Sequence, residues 1–166
     1  MYPEKSLPEF QKSMSDLFNA AIPLNNRVLE IMARGLNLED QFYFVERHSW
    51  VGTKRSQTAL RSFYYPSLAD VKIKENQVRC GEHWDYGGIT ILFQDKQSGL
   101  EKHRVMIPAD HIDLDRQSIA FFGNPDNDAV LECIDQSNKY PPTTIIDLLN
   151  MKYEQTTTKK PNSRTY

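Results

Sequence analysis

Between Leu7 and about Leu36 the apolar residues Phe10, Met14, Leu17, Phe18, Ala21, Leu24, Val28, Ile31 and Met32 recur every three or four positions, the period of a helix with one buried face. Ser6 is placed to cap its start, Pro8 suits a first turn, and Gly35 stands where a left-handed residue ends a helix. Pro23 lies inside the run, so the pattern predicts a kink or two shorter helices. A helix packed along the side of a sheet explains this pattern without a membrane role.

After Asp40 the texture changes. Aromatic and β-branched residues fill Phe42-Tyr43-Phe44-Val45 and Leu60-Arg61-Ser62-Phe63-Tyr64-Tyr65-Pro66, and both read as strands, with the polar stretch from His48 to Thr58 a loop between them. Val71-Lys72-Ile73-Lys74 reads as a short strand or connector. The runs Ile89-Thr90-Ile91-Leu92-Phe93, Arg104-Val105-Met106-Ile107 and Ser118-Ile119-Ala120-Phe121-Phe122 have the length of buried strands. Gly123-Asn124-Pro125-Asp126 is turn chemistry, and Thr143 or Thr144 can cap an amphipathic helix over Ile145 to Tyr153. The Thr- and Lys-rich stretch from Gln155 on predicts a disordered tail.

Composition narrows the function. With 166 residues, no internal repeat and no linker, the chain suits one domain able to bury a real core. A formal net charge of -2 offers no basic field for nucleic acid or an anionic membrane, so small molecules are the expected partners. The N-terminus lacks the apolar stretch of a secretory signal and the longest apolar runs are too short to cross a bilayer, which predicts a cytoplasmic protein. Cys80 and Cys133 form neither a disulfide framework nor a thiolate metal spacing, and are expected to be buried thiols. Oligomeric state is left open.

The chemistry concentrates in His83-Trp84-Asp85 and in the stretch from there to Ser118. Residues two apart on an extended segment project from the same side, so His83 and Asp85 can address one ion. With His103 they make two imidazoles and a carboxylate, a set that holds a redox-active iron and leaves its opposite face open. Arg116 and Ser118 likewise share one side of a strand, where a guanidinium and a hydroxyl can receive a carboxylate. A zinc hydrolase on the same residues is disfavoured, because no Glu base of the His-Glu-x-x-His type accompanies them.

The words Gly81-Glu82-His83-Trp84-Asp85-Tyr86-Gly87-Gly88-Ile89-Thr90-Ile91-Leu92-Phe93-Gln94-Asp95, His103-Arg104-Val105, Arg116 to Phe122 and Leu60 to Pro66 together resemble the iron- and 2-oxoglutarate-dependent dioxygenases, in the branch that contains isopenicillin N synthase. The likeness covers most of residues 10 to 150. It implies a mainly β fold with flanking helices, a distorted double-stranded β-helix or jelly roll. A single domain over 1–154 would comprise a helical part at 6–36, a core at about 42–123 and a C-terminal helix at about 144–153, before a tail at 155–166.

The resemblance further implies His83, Asp85 and His103 as ligands of iron(II), and Arg116, Ser118 and Tyr65 as the residues that hold 2-oxoglutarate. The reaction would consume dioxygen and convert 2-oxoglutarate to succinate and carbon dioxide while oxidising a small molecule. Trp84, between two ligands, would face away from the metal; His48 and His111 match no motif and read as solvated or structural. The likeness departs between Gly99-Leu100-Glu101 and the His-Arg-Val word, where relatives carry several tens of residues and this chain has Lys102 alone. The family's region ahead of the long helix is missing as well. Both departures imply an incomplete jelly roll, and with it a second expectation: a catalytically inactive shortened form acting as a binding or regulatory fragment.

Overall fold

Helix α1 spans Phe10–Gly35 and runs unbroken through Pro23. Its buried residues Ala21, Asn25, Leu29 and Ala33 fall on one stripe on both sides of the proline, so packing outweighs the single backbone bond that Pro23 cannot donate. Glu9, not Ser6, occupies the N-cap position, without a side-chain cap bond. At the other end Asn37, not Gly35, takes the left-handed conformation, with φ of 53°. The Asn37 N–H donates to Arg34 O and the Leu38 N–H to Ala33 O, both at 3.0 Å, which closes the last turn. The computed structural model describes residues 6–73, 77–80, 83, 85–94 and 113–158, with side chains through 154.

The segment read as a strand at 42–45 is instead a helical turn, α2 (Tyr43–Glu46). Asp40 starts it by accepting the Phe42 N–H at 2.8 Å. Contacts available only on a helix then hold it: Arg47 Nη1 donates to Tyr43 O at 2.7 Å and its guanidinium lies 3.5 Å from the Tyr43 ring centre. Residue type favoured a strand here, and i,i+4 contacts decided otherwise.

Strands β1 (Ala59–Tyr65), β2 (Ile89–Gln94) and β3 (Arg116–Gly123) form an antiparallel sheet in the order β1-β3-β2. The register sets Tyr65 opposite Arg116, Phe63 and Gln94 opposite Ser118, and Arg61 and Leu92 opposite Ala120. Side-chain alternation then gives the sheet two different faces. On one, Phe121 is fully buried and its ring lies 5.5 Å from that of Phe18 on α1. Helix and sheet approach so closely that a Cβ on Gly123 would collide with Asn25 Oδ1. The opposite face carries Arg61, Phe63, Tyr65, Arg116, Ser118 and Phe122.

A small pair, β4 (Val130–Leu131) with β5 (Thr143–Thr144), leads into α3 (Ile145–Thr158). Thr144 supplies the cap: its Oγ1 accepts the Asp147 N–H at 3.2 Å and donates to Asp147 Oδ2 at 2.6 Å. Ile145 and Leu149 anchor the helix, both buried. The helix continues to Thr158, past the point where a disordered tail is expected, because Glu154 and Gln155 are good helix formers. Val71 to Ile73 is not strand, and Arg104-Val105-Met106-Ile107 lies outside the described residues. No helix among the described residues is long and apolar enough to cross a membrane.

Candidate functional site

His83 and Asp85 precede β2 and face one another, with Nε2 of the histidine 3.5 Å from Oδ1 of the carboxylate. The Thr90 hydroxyl donates to the other oxygen, Oδ2, at 2.5 Å and so fixes which oxygen is turned to His83. Two donor atoms closer together than twice a metal–ligand bond of about 2.1 Å can both reach a single ion, so the pair fits a metal. Behind the imidazole, Cys80 Sγ lies 3.5 Å from Nδ1. Burial, and secondarily the Asp85 charge, push that thiol's pKa up, which keeps it protonated. His103, the third expected ligand, lies outside the described residues, as do Trp84 and His111. Among the described residues there is no group of three His, Cys, Asp or Glu that could hold a metal.

The three residues expected at 2-oxoglutarate come together at the other end of the same face. Arg116 Nη1 donates to Ser118 Oγ at 3.3 Å and Nη2 to Gln94 Oε1 at 3.4 Å, and the guanidinium lies 5.0 Å from the Tyr65 ring centre. Ser118 is buried. All these partners are neutral, so among the described residues a half-buried guanidinium stands without a counter-ion, an arrangement that favours an incoming carboxylate. Burial and the neighbouring Cys80 raise the Tyr65 phenol above its ordinary value while Arg116 and Arg79 oppose the shift, so Tyr65 remains an O–H donor.

Thr90, Gln94 and Arg79 belong to this site and were not singled out in the sequence. Thr90 and Gln94 are in phase on β2, so the alternation of that strand carried a signal for both. Arg79 had none. It donates to the carbonyls of Pro66 at 2.9 Å and Leu114 at 3.2 Å, tying the end of β1 to the approach of β3, and its guanidinium lies 6.0 Å from the Tyr65 ring. Between Thr90, which holds Asp85, and Gln94, which touches Arg116, the strand rises about 13 Å, so the two clusters share one strand face.

A cleft of about 360 Å³ opens beside His83 and Asp85, with Arg61, Phe122, Tyr86 and Tyr153 among its walls. The Tyr86 and Tyr153 rings meet edge to face at 6.2 Å, so α3 closes one side. Of the two readings open for His48, solvated or structural, the fold takes the structural one: it is buried, its Nδ1 donating to Phe44 O at 2.7 Å because the α2 turn presents that carbonyl to it. One expectation needs correction. Cys80 and Cys133 are free but only half-buried, since each sits on a loop against polar neighbours.

No protein-family model matches the chain. It is 24% identical over 200 aligned positions to the 2-oxoglutarate-dependent dioxygenase gloF of Glarea lozoyensis, covering 92% of this chain and 59% of that protein. To the 2-oxoglutarate-Fe(II) type oxidoreductase hxnY of Emericella nidulans it is 25% identical, covering 89% of this chain and 52% of the relative. The chain thus spans between half and three-fifths of the length of these relatives. The gloF alignment is longer than this chain's 166 residues, so within the matched span the relative carries residues that have no counterpart here. Among solved structures, a full-length Neurospora crassa protein in complex with alpha-KG superposes with a TM-score of 0.74 at 26% identity, covering 89% of this chain and 57% of that one. A 2OG-Fe(II) oxygenase family protein of Caulobacter crescentus shares the fold, with a TM-score of 0.72 at 19% identity over 94% of this chain and 62% of its own. In sequence and in fold the chain is similar to the iron(II)- and 2-oxoglutarate-dependent oxygenases.

Proposed function

We propose that the chain is an iron(II)- and 2-oxoglutarate-dependent dioxygenase acting on a small molecule, with residues up to about 154 as one oxygenase-like domain and the sheet as part of its jelly roll. One observation carries this reading: a histidine–carboxylate pair and a guanidinium without a counter-ion among the described residues stand on the same face of one sheet, at opposite ends of β2. Bound iron(II) and 2-oxoglutarate would supply the oxidising chemistry, with dioxygen consumed and succinate and carbon dioxide released.

The chain's own residues hold and orient. His83 and Asp85 give the metal a neutral nitrogen and an anionic oxygen, and His103 is the third ligand. Arg116 receives the distal carboxylate of 2-oxoglutarate, Ser118 and Tyr65 add O–H donors, and the aromatic walls of the cleft keep water from the substrate. The same reading places the protein in the cytoplasm, where two unpaired cysteines stay reduced.

Anaerobic titration of the full chain with iron(II) and 2-oxoglutarate tests the assignment. The visible charge-transfer band of the chelate is expected, and it should vanish in His103→Ala. No band at saturating ligand overturns the reading. A band without succinate formation in air would instead mark a catalytically silent binding fragment.

A further inference from the structure

The cleft beside His83 and Asp85 carries a second cation that the iron and 2-oxoglutarate reading does not use. Arg61 projects from β1 onto the cleft face, opposite the small Ala120, and its guanidinium lies 5.5 Å from the Phe122 ring centre. Phe63 meets Phe122 edge to face at 6.4 Å, which fixes the ring that supports the guanidinium. Among the described residues Arg61 makes no ion pair and no hydrogen bond, whereas Arg47, Arg55, Arg79 and Arg116 all donate to named acceptors.

We propose that Arg61 binds the carboxylate of the substrate, so that this cleft selects a small organic acid with an apolar or aromatic body. The identification of that acid as the substrate rests on the function proposed above. A guanidinium backed by a ring offers two parallel charge-assisted bonds to a carboxylate. A phosphoryl group would bring a second negative charge, and Arg61 is the one permanent cation among the described residues that line the cleft. The volume of about 360 Å³ suits a small molecule, and Phe122, Tyr86 and Tyr153 supply flat apolar walls for its body. The cleft also carries both signs of charge: Asp85 repels an anion while Arg61 attracts one. The acid group is therefore held away from the metal pair and the apolar carbons are turned toward it.

Binding of two isosteric probes, phenylacetate and phenylacetamide, to the metal-free full chain by ligand-observed NMR tests the proposal independently of iron. Phenylacetate should bind at least tenfold more tightly than the amide, Arg61→Gln should remove that preference, and Arg61→Lys should keep part of it. Equal binding of the two probes overturns the proposal, as does a preference that survives Arg61→Gln. A preference abolished by Arg116→Gln but not by Arg61→Gln also overturns it, because the acid then sits in the 2-oxoglutarate pocket. A missing chelate band together with an Arg61-dependent preference would sink the oxygenase function and leave the carboxylate site standing.

Discussion

The Thr90 hydroxyl holds one oxygen of Asp85 at 2.5 Å, and the other oxygen faces His83 Nε2 across 3.5 Å. A hydroxyl that orients a ligating carboxylate in this way acts on metal affinity through geometry and not through charge. Thr90→Val, which keeps the shape and removes the donor, is expected to weaken cobalt(II) or iron(II) binding about tenfold to a hundredfold in an absorbance titration. Thr90→Ser should restore most of it. Unchanged affinity in the valine variant would show that Asp85 needs no support.

Among the described residues Arg116 donates only over long distances to neutral partners, at 3.3 and 3.4 Å. Replacing its fork by the point charge of Arg116→Lys is expected to lower 2-oxoglutarate affinity about tenfold, read from the ligand dependence of the chelate band, while metal affinity measured without 2-oxoglutarate stays the same.

His48 is held below the ordinary histidine pKa, first by burial, with its bond to Phe44 O and the Asp126 charge opposing the shift. A histidine that refuses a proton in the folded state, while the unfolded chain accepts one near 6.5, makes stability constant above that pH and lower as pH falls beneath it. Denaturant midpoints between pH 7.5 and 5.5 should therefore drop for the native sequence, by at most about 1.4 kcal/mol per pH unit from this group. His48→Gln should flatten the slope.

Gly123 admits no Cβ because Asn25 Oδ1 occupies that space. Gly123→Ala is expected to cost about 1–3 kcal/mol by urea unfolding. In the double variant with Asn25→Ala the loss should be smaller than the sum of the two single losses, since removing the amide clears the collision. Additive losses would mean that Gly123 matters for some other reason.

The three sheet strands were legible because each is a run of apolar or aromatic residues bounded by turn residues, as with Gly123-Asn124-Pro125-Asp126. The same aromatic signal misled at 42–45, where Arg47 and His48 reach back to the carbonyls of Tyr43 and Phe44 and so favour a helical turn. Pro23 misled in the opposite sense, since the buried stripe of α1 extends past it on both sides. In the site, the pairing of Arg116 with Ser118 follows from strand alternation and that of His83 with Asp85 from their spacing of two just ahead of β2, so each was readable from one segment alone. That Tyr65 stands across from Arg116, and that Arg79 ties both segments together, depends on which strands are neighbours, and no local pattern encodes that.

Because β3 is the central strand, the residues that carry Arg116 and Ser118 on one side alternate with the one that buries Phe121 on the other. A slip of one residue against either neighbour would turn Gln117 and Ile119 to the face that carries Tyr65 and Gln94, and the guanidinium toward α1. Hydrophobic sorting of the core therefore acts as the alignment gauge of the chemistry. Substitutions that loosen the contact between Phe18 and Phe121, far from any ligand, should surface first as faulty recognition of 2-oxoglutarate rather than as gross unfolding.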